Sequence, residues 1–167
     1  MVDRYSVISM QIHNFKGFEK VEIDFTQNNR IGRKIFTIFG NQGSGKSTLI
    51  SAFQWCAYGT NIASADSKFS RKNILPSQWT EQEKSISVLV KFRAFGGNED
   101  GSEDLHCKRT LQVNQMNDSL EVISGDGMSK QGKEAEELFR QIFGSTPQTG
   151  DGVMWVIRQE EMRRMAM

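Results

Sequence analysis

Gly40-Asn41-Gln42-Gly43-Ser44-Gly45-Lys46-Ser47 sets glycines, a lysine and a hydroxyl at the GxxxxGK[ST] spacing. The chemistry that suits this spacing is the capture of a phosphate chain. Glycine permits positive φ and lets the backbone approach an anion with no Cβ in the way. The amides of residues 42–47 can then turn inward as an anion nest. A helix opening at Lys46 would add the positive end of its dipole. Lys46 is the expected catalytic cation, bridging the β- and γ-phosphates, and the Ser47 hydroxyl is the expected magnesium ligand. Thr48 offers a further hydroxyl towards the α-phosphate. The expected ligand is a nucleoside triphosphate, ATP with Mg2+, held by Asn41, Gln42, Gly43, Ser44, Gly45, Lys46, Ser47 and Thr48.

Such a loop works only between a buried strand and a helix. Residues 34–39 (KIFTIF) form a short apolar run with little alternation, which predicts a strand buried on both faces. Residues 46–58 predict a helix with Leu49, Ile50, Phe53 and Ala57 inward, ended by Gly59. Upstream, Ile8, Met10 and Ile12 share one face of a strand over residues 5–13. Val21, Ile23 and Phe25 alternate with acids in a second strand, and residues 14–18 are the turn of the hairpin they form.

Downstream, residues 85–95 alternate, with Ile86, Val88, Val90 and Phe92 on one face. After a glycine-rich acidic turn, Leu105, Cys107, Arg109, Leu111 and Val113 mark the return strand. The meander continues over residues 120–123. A helix is expected over residues 131–143 with Leu138, Ile142 and Phe143 inward, and a buried strand over residues 153–157 (VMWVI). The fold class is α/β: a phosphate-loop NTPase with an antiparallel β meander beside the nucleotide-binding strand and helix.

Composition agrees with one compact domain over residues 1–167. Apolar residues make up 37% and charged residues 25%, and the formal net charge is +1, so global charge does not announce a nucleic-acid binder. Mean hydropathy is -0.50, and no apolar run approaches the ~20 residues of a membrane helix. Met1-Val2-Asp3-Arg4 lacks the features of a signal peptide, and no membrane partner is expected. The expected location is cytoplasmic, or nucleoid or nuclear with DNA. Cys56 and Cys107 form neither a CxxC pair nor a zinc set and read as reduced, buried thiols.

The N-terminal pattern IxxxxIxNFKGFxxxxIDF, followed by FTIFGNQGSGKSTLISAFQWCAYGT, resembles the N-terminal ATPase lobe of the SMC-like proteins. These include the chromosome SMC proteins, the ATPase of double-strand-break repair, RecF, and ATPases of bacterial DNA modification and defence. The likeness covers the first 60 residues well and Trp155 to Glu161 less fully. It implies an ABC/SMC-head fold. It also implies that Lys16, beside Gly17, approaches the nucleotide, and that Gln159 reaches magnesium as a Q-loop glutamine. Residues 159–167 would then be the root of a coiled-coil helix. In such proteins the acids of a Walker B strand and a signature segment lie in a C-terminal lobe. No apolar run ending in Asp-Glu occurs in this sequence.

The resemblance therefore implies one lobe of a split head, which binds ATP and hydrolyses little alone. Its implied partners are that C-terminal lobe, a second copy in a nucleotide-dependent homodimer, DNA, and a nuclease subunit. Lys68, Arg71 and Lys72 form a basic cluster that could face DNA, as could Arg163 and Arg164, although such clusters are more often solvated faces. Two other readings stay open. A small-molecule kinase shares the loop, but here some 35 residues precede it and no arginine-rich lid is evident. A non-catalytic, nucleotide-dependent scaffold would need no acids at all.

Overall fold

The computed structural model describes residues 4–26, 38–59, 85–95, 104–112 and 118–143. Six strands form one antiparallel sheet. They are β1 (Arg4–Phe15), β2 (Phe18–Asp24), β3 (Ser85–Phe95), β4 (Asp104–Gln112), β5 (Ser119–Ile123) and β6 (Ser129–Gln131). The sheet order is β2-β1-β3-β4-β5-β6. Two helices, α1 (Lys46–Tyr58) and α2 (Lys133–Phe143), pack on this sheet.

Alternation dictates which face is covered, because successive side chains of a strand point to opposite faces. Met10 and Ile12 of β1, Ile86, Val88, Val90 and Phe92 of β3, Leu105, Cys107 and Leu111 of β4, and Leu120 and Val122 of β5 are all buried in one cluster. Leu49, Ala52, Trp55 and Cys56 of α1 and Ala135 and Phe139 of α2 close that cluster from above. The β1–β2 hairpin and the β3–β4–β5 meander follow the expected pattern, and β1 pairs with β3 as well as β2. A register shift between Val7 and Ser9 keeps the β1–β3 ladder paired on both sides.

Four details differ from expectation. The inward face of α1 centres on Ala52, Trp55 and Cys56, and Ile50 and Phe53 are only half-buried. Trp55 dominates because Phe15 stacks on it with ring centroids 5.5 Å apart. On α2 the buried residues are Ala135 and Phe139, and Leu138 and Ile142 flank them; the Phe143 side chain lies outside the described set. The sheet gains a short edge strand, β6, where residue 131 was expected to open the helix. That segment carries no alternating apolar signal; Ser129 and Gln131 instead hydrogen-bond Glu121 across the ladder. Finally, Ile38 and Phe39 lie outside any strand and are 41% and 88% exposed, so the end of the apolar run is not buried here. Apolar character supplies the drive to be covered, but no described element supplies the cover. Residues 34–37, Val113, the basic residues at 68, 71 and 72, the strand expected at 153–157, Gln159 and the coiled-coil root expected at 159–167 lie outside the described set.

Candidate functional site: the glycine loop at the head of α1

The site is built where the chain turns from Gly40 into α1. Gly43 has φ 82° and Gly45 has φ 88°. Both lie in the left-handed region, which a side chain disfavours. Gly45 is the N-cap of α1, and no side chain caps the helix. No acidic residue occupies its first turn either, whereas α2 carries Glu134 and Glu136 there. Helix geometry leaves the first amides of α1 without carbonyl acceptors inside the helix. The helix is tied down one step later, where Leu49 N–H donates to Gly45 O at 2.9 Å. The result is a cluster of amide donors at a positive dipole end, neutralised by no residue of the first turn.

Lys46 folds back over the loop. Its Nζ donates to Gly40 O and Asn41 O, both at 2.7 Å, and lies 3.4 Å from Ser44 Oγ. The ammonium thus rests on the carbonyls at the rim of the loop. The Ser44 amide donates to Asn41 O at 3.2 Å, so it is engaged inside the loop. Asn41, Gln42, Gly43, Ser44 and Ser47 are exposed, and Thr48 is half-buried. Among the described residues no group of three or more His, Cys, Asp or Glu could hold a metal ion.

The hairpin turn comes to this loop through its aromatics. Across the turn Phe15 pairs with Phe18. Phe15 is fully buried against Trp55, and the Phe18 ring lies so close to Gly45 that a Cβ there would be 2.6 Å from its Cζ. Lys16, at the tip, has φ 54°, unusual for a residue with a side chain, and its Nζ sits 5.7 Å over the Phe15 ring. The turn containing Lys16 and Gly17 is therefore held beside the glycine loop. Gln159 lies outside the described residues.

The far end of α1 is fixed by a residue that the apolar pattern hid. Arg109 is 1% exposed, in the core-facing register of β4. Its Nε donates to Cys56 O at 2.9 Å, and one terminal nitrogen lies 2.7 Å from Glu136 Oε1 and 3.6 Å from Asp118 Oδ1. Gly59, at φ 72°, makes room for it: a Cβ there would lie 2.8 Å from that nitrogen. An arginine in an otherwise apolar alternating row was the available signal. Nothing in the sequence signalled the contact of Phe18 with Gly45.

Glycines in left-handed conformation, a lysine on the loop rim and an uncapped helix define a phosphate-loop, nucleotide-binding domain of mixed α/β fold. The chain belongs to the AAA domain family, whose model matches residues 9–149. Among solved structures it is similar to the recombination mediator protein RecF with ATP in the RecFOR pathway. That likeness has 15% identity and a TM-score of 0.48, and covers 78% of this chain and 29% of that one. The chain thus spans less than a third of the length of that structure. No curated protein matches it.

Proposed function

We propose that this chain is the ATP-binding, N-terminal lobe of a split SMC-like ATPase head acting on DNA. The observation that carries the reading is the glycine loop: left-handed Gly43 and Gly45, with Lys46 at the rim of an uncapped helix. In this role the amides at the start of α1 seat the phosphates, and the Lys46 ammonium leaves Gly40 O and Asn41 O to meet the β- and γ-phosphates. Ser47 presents its hydroxyl to magnesium, with Gln159 as the second protein ligand. Magnesium, when bound with the nucleotide, neutralises phosphate charge and orients the γ-phosphoryl group. Lys16 and Gly17 close over the nucleotide from the hairpin.

The acids that position water come from a C-terminal lobe in this reading. Exposed Ile38 and Phe39, immediately before the loop, suit a face which that lobe covers. The complete head then forms a nucleotide-dependent homodimer on DNA, in repair, chromosome maintenance or defence, with a nuclease subunit as a further partner. The location that fits is the cytoplasm or nucleoid. Among the described residues no helix is long and apolar enough to cross a membrane.

Calorimetric titration with ATP and magnesium, with phosphate release followed on the same sample, tests this. Binding with little turnover is expected. Lys46→Ala removes charge-assisted contacts to two phosphates and should weaken binding by about 3 kcal/mol, roughly a hundredfold. Unchanged affinity in that variant would sink the reading. Robust turnover by the chain alone would place the catalytic acids within it and favour a complete NTPase or a small kinase.

A further inference from the structure

We infer that Phe18 is a positioning residue for the phosphate loop: its ring holds Gly45 in the left-handed conformation that the amide nest requires. The inference rests on the nucleotide-binding reading above and adds a residue outside the loop to it.

The case begins with contact. A Cβ on Gly45 would lie 2.6 Å from Phe18 Cζ and 2.8 Å from Cε1, so the ring tip occupies the space directly over this glycine. Gly43, the other left-handed glycine of the loop, has nothing within 4 Å of the same point. One end of the nest is thus buttressed and the other is open. Gly45 is also the N-cap of α1, so its conformation sets both the direction of the first helical amides and the start of the helix. A glycine reaches positive and negative φ with similar ease, and nothing intrinsic to Gly45 selects one. The ring tip packed over this glycine, together with the Leu49 N–H bond to its carbonyl, narrows the room in which its backbone can rearrange.

The ring is itself anchored. Phe18 opens β2 and pairs with Phe15 across the turn, and Phe15 is fully buried on Trp55 of α1. The hairpin therefore grips the same helix at two points, Trp55 and Gly45. The buttress thus belongs to a paired hairpin anchored in the core rather than to the loop itself. Lowering the ordering cost of the loop in advance raises affinity without any new contact to the nucleotide.

The test is ATP–magnesium affinity of the 167-residue chain, measured beside its denaturation midpoint. Phe18→Ala should weaken binding roughly tenfold, more than its unfolded fraction explains, by returning conformational freedom to Gly45. Phe18→Tyr keeps the ring and should restore near wild-type affinity. Phe18→Leu keeps bulk and fold but not the flat ring, and should fall between, so the inference stays testable if the alanine variant fails to fold. Lys46→Ala is run alongside. Wild-type affinity in Phe18→Leu, or in a folded Phe18→Ala, with binding lost in Lys46→Ala, would overturn the positioning role and leave nucleotide binding intact. No ATP binding by the wild-type chain would overturn both.

Discussion

Cys56 and Cys107 show how far burial alone decides a residue's chemistry. Both thiols are free and buried, and Cys56 Sγ lies 3.4 Å from the Val88 and Cys107 carbonyl oxygens. Desolvation pushes the Cys56 pKa from about 9 to about 11, although Arg109 nearby pulls the other way. Burial, and then the neighbouring Cys56, push Cys107 up as well. The folded chain therefore holds these protons more tightly than the unfolded chain does. That contribution to stability is complete below the ordinary thiol value and is lost as pH rises through the folded value. Stability should decline between pH about 9 and about 11. Cys56→Ala should make that decline shallower without removing it, because Cys107 also titrates. Denaturation midpoints of both proteins across this range check the point; identical slopes would refute it.

At the scale of elements, α1 is a rod fixed at both ends. Its N-terminus is held by Phe18 against Gly45, and its last turn by Phe15 on Trp55 and by Arg109 on the Cys56 carbonyl. Arg109 also draws in α2 through Glu136 and the start of β5 through Asp118. A guanidinium with its side chain 1% exposed depends on these acceptors, since a buried charge that loses its partner keeps its desolvation cost. Glu136→Ala should therefore destabilise the chain by ~3 kcal/mol. ATP affinity of the folded fraction should stay unchanged, because Glu136 belongs to the cluster at the opposite end of α1 from the glycine loop. Urea denaturation and calorimetry on the same variant separate the two effects. A loss of affinity without a loss of stability would contradict this division of labour.

For the molecule as a whole, two helices cover one face of the sheet, and among the described residues two large apolar side chains stand exposed just before the glycine loop. Ile38 and Phe39 are large, exposed and adjacent to the loop. If a C-terminal lobe completes the head, Phe39→Ser should leave ATP binding by this chain within about twofold, since Phe39 precedes the loop and is 88% exposed. The same variant should weaken association with the separately produced lobe by roughly tenfold, the loss expected for an apolar anchor at an interface core. Phosphate release from the mixed lobes reads this directly. Equal turnover with wild-type and variant chains would remove Ile38 and Phe39 from the proposed interface.

The sequence by itself determined what depends on local spacing. The glycine loop is legible because its glycines, lysine and hydroxyls lie within nine consecutive residues. The hairpin and the strands at 85–95 and 105–111 are legible because a period of two is written along each strand. The helix at 46–58 was visible, but its buried face was not fully so. Which of several apolar residues turns inward depends on what meets it, and Phe15 drew Trp55 into the core. Only the tertiary structure placed β1 beside β3 across a long connection and set Phe18 against Gly45. It alone gathered Arg109, Asp118, Glu136 and Gly59 into one cluster. These are contacts between segments distant in sequence, fixed by how the sheet and helices pack, and no short pattern along the chain encodes them.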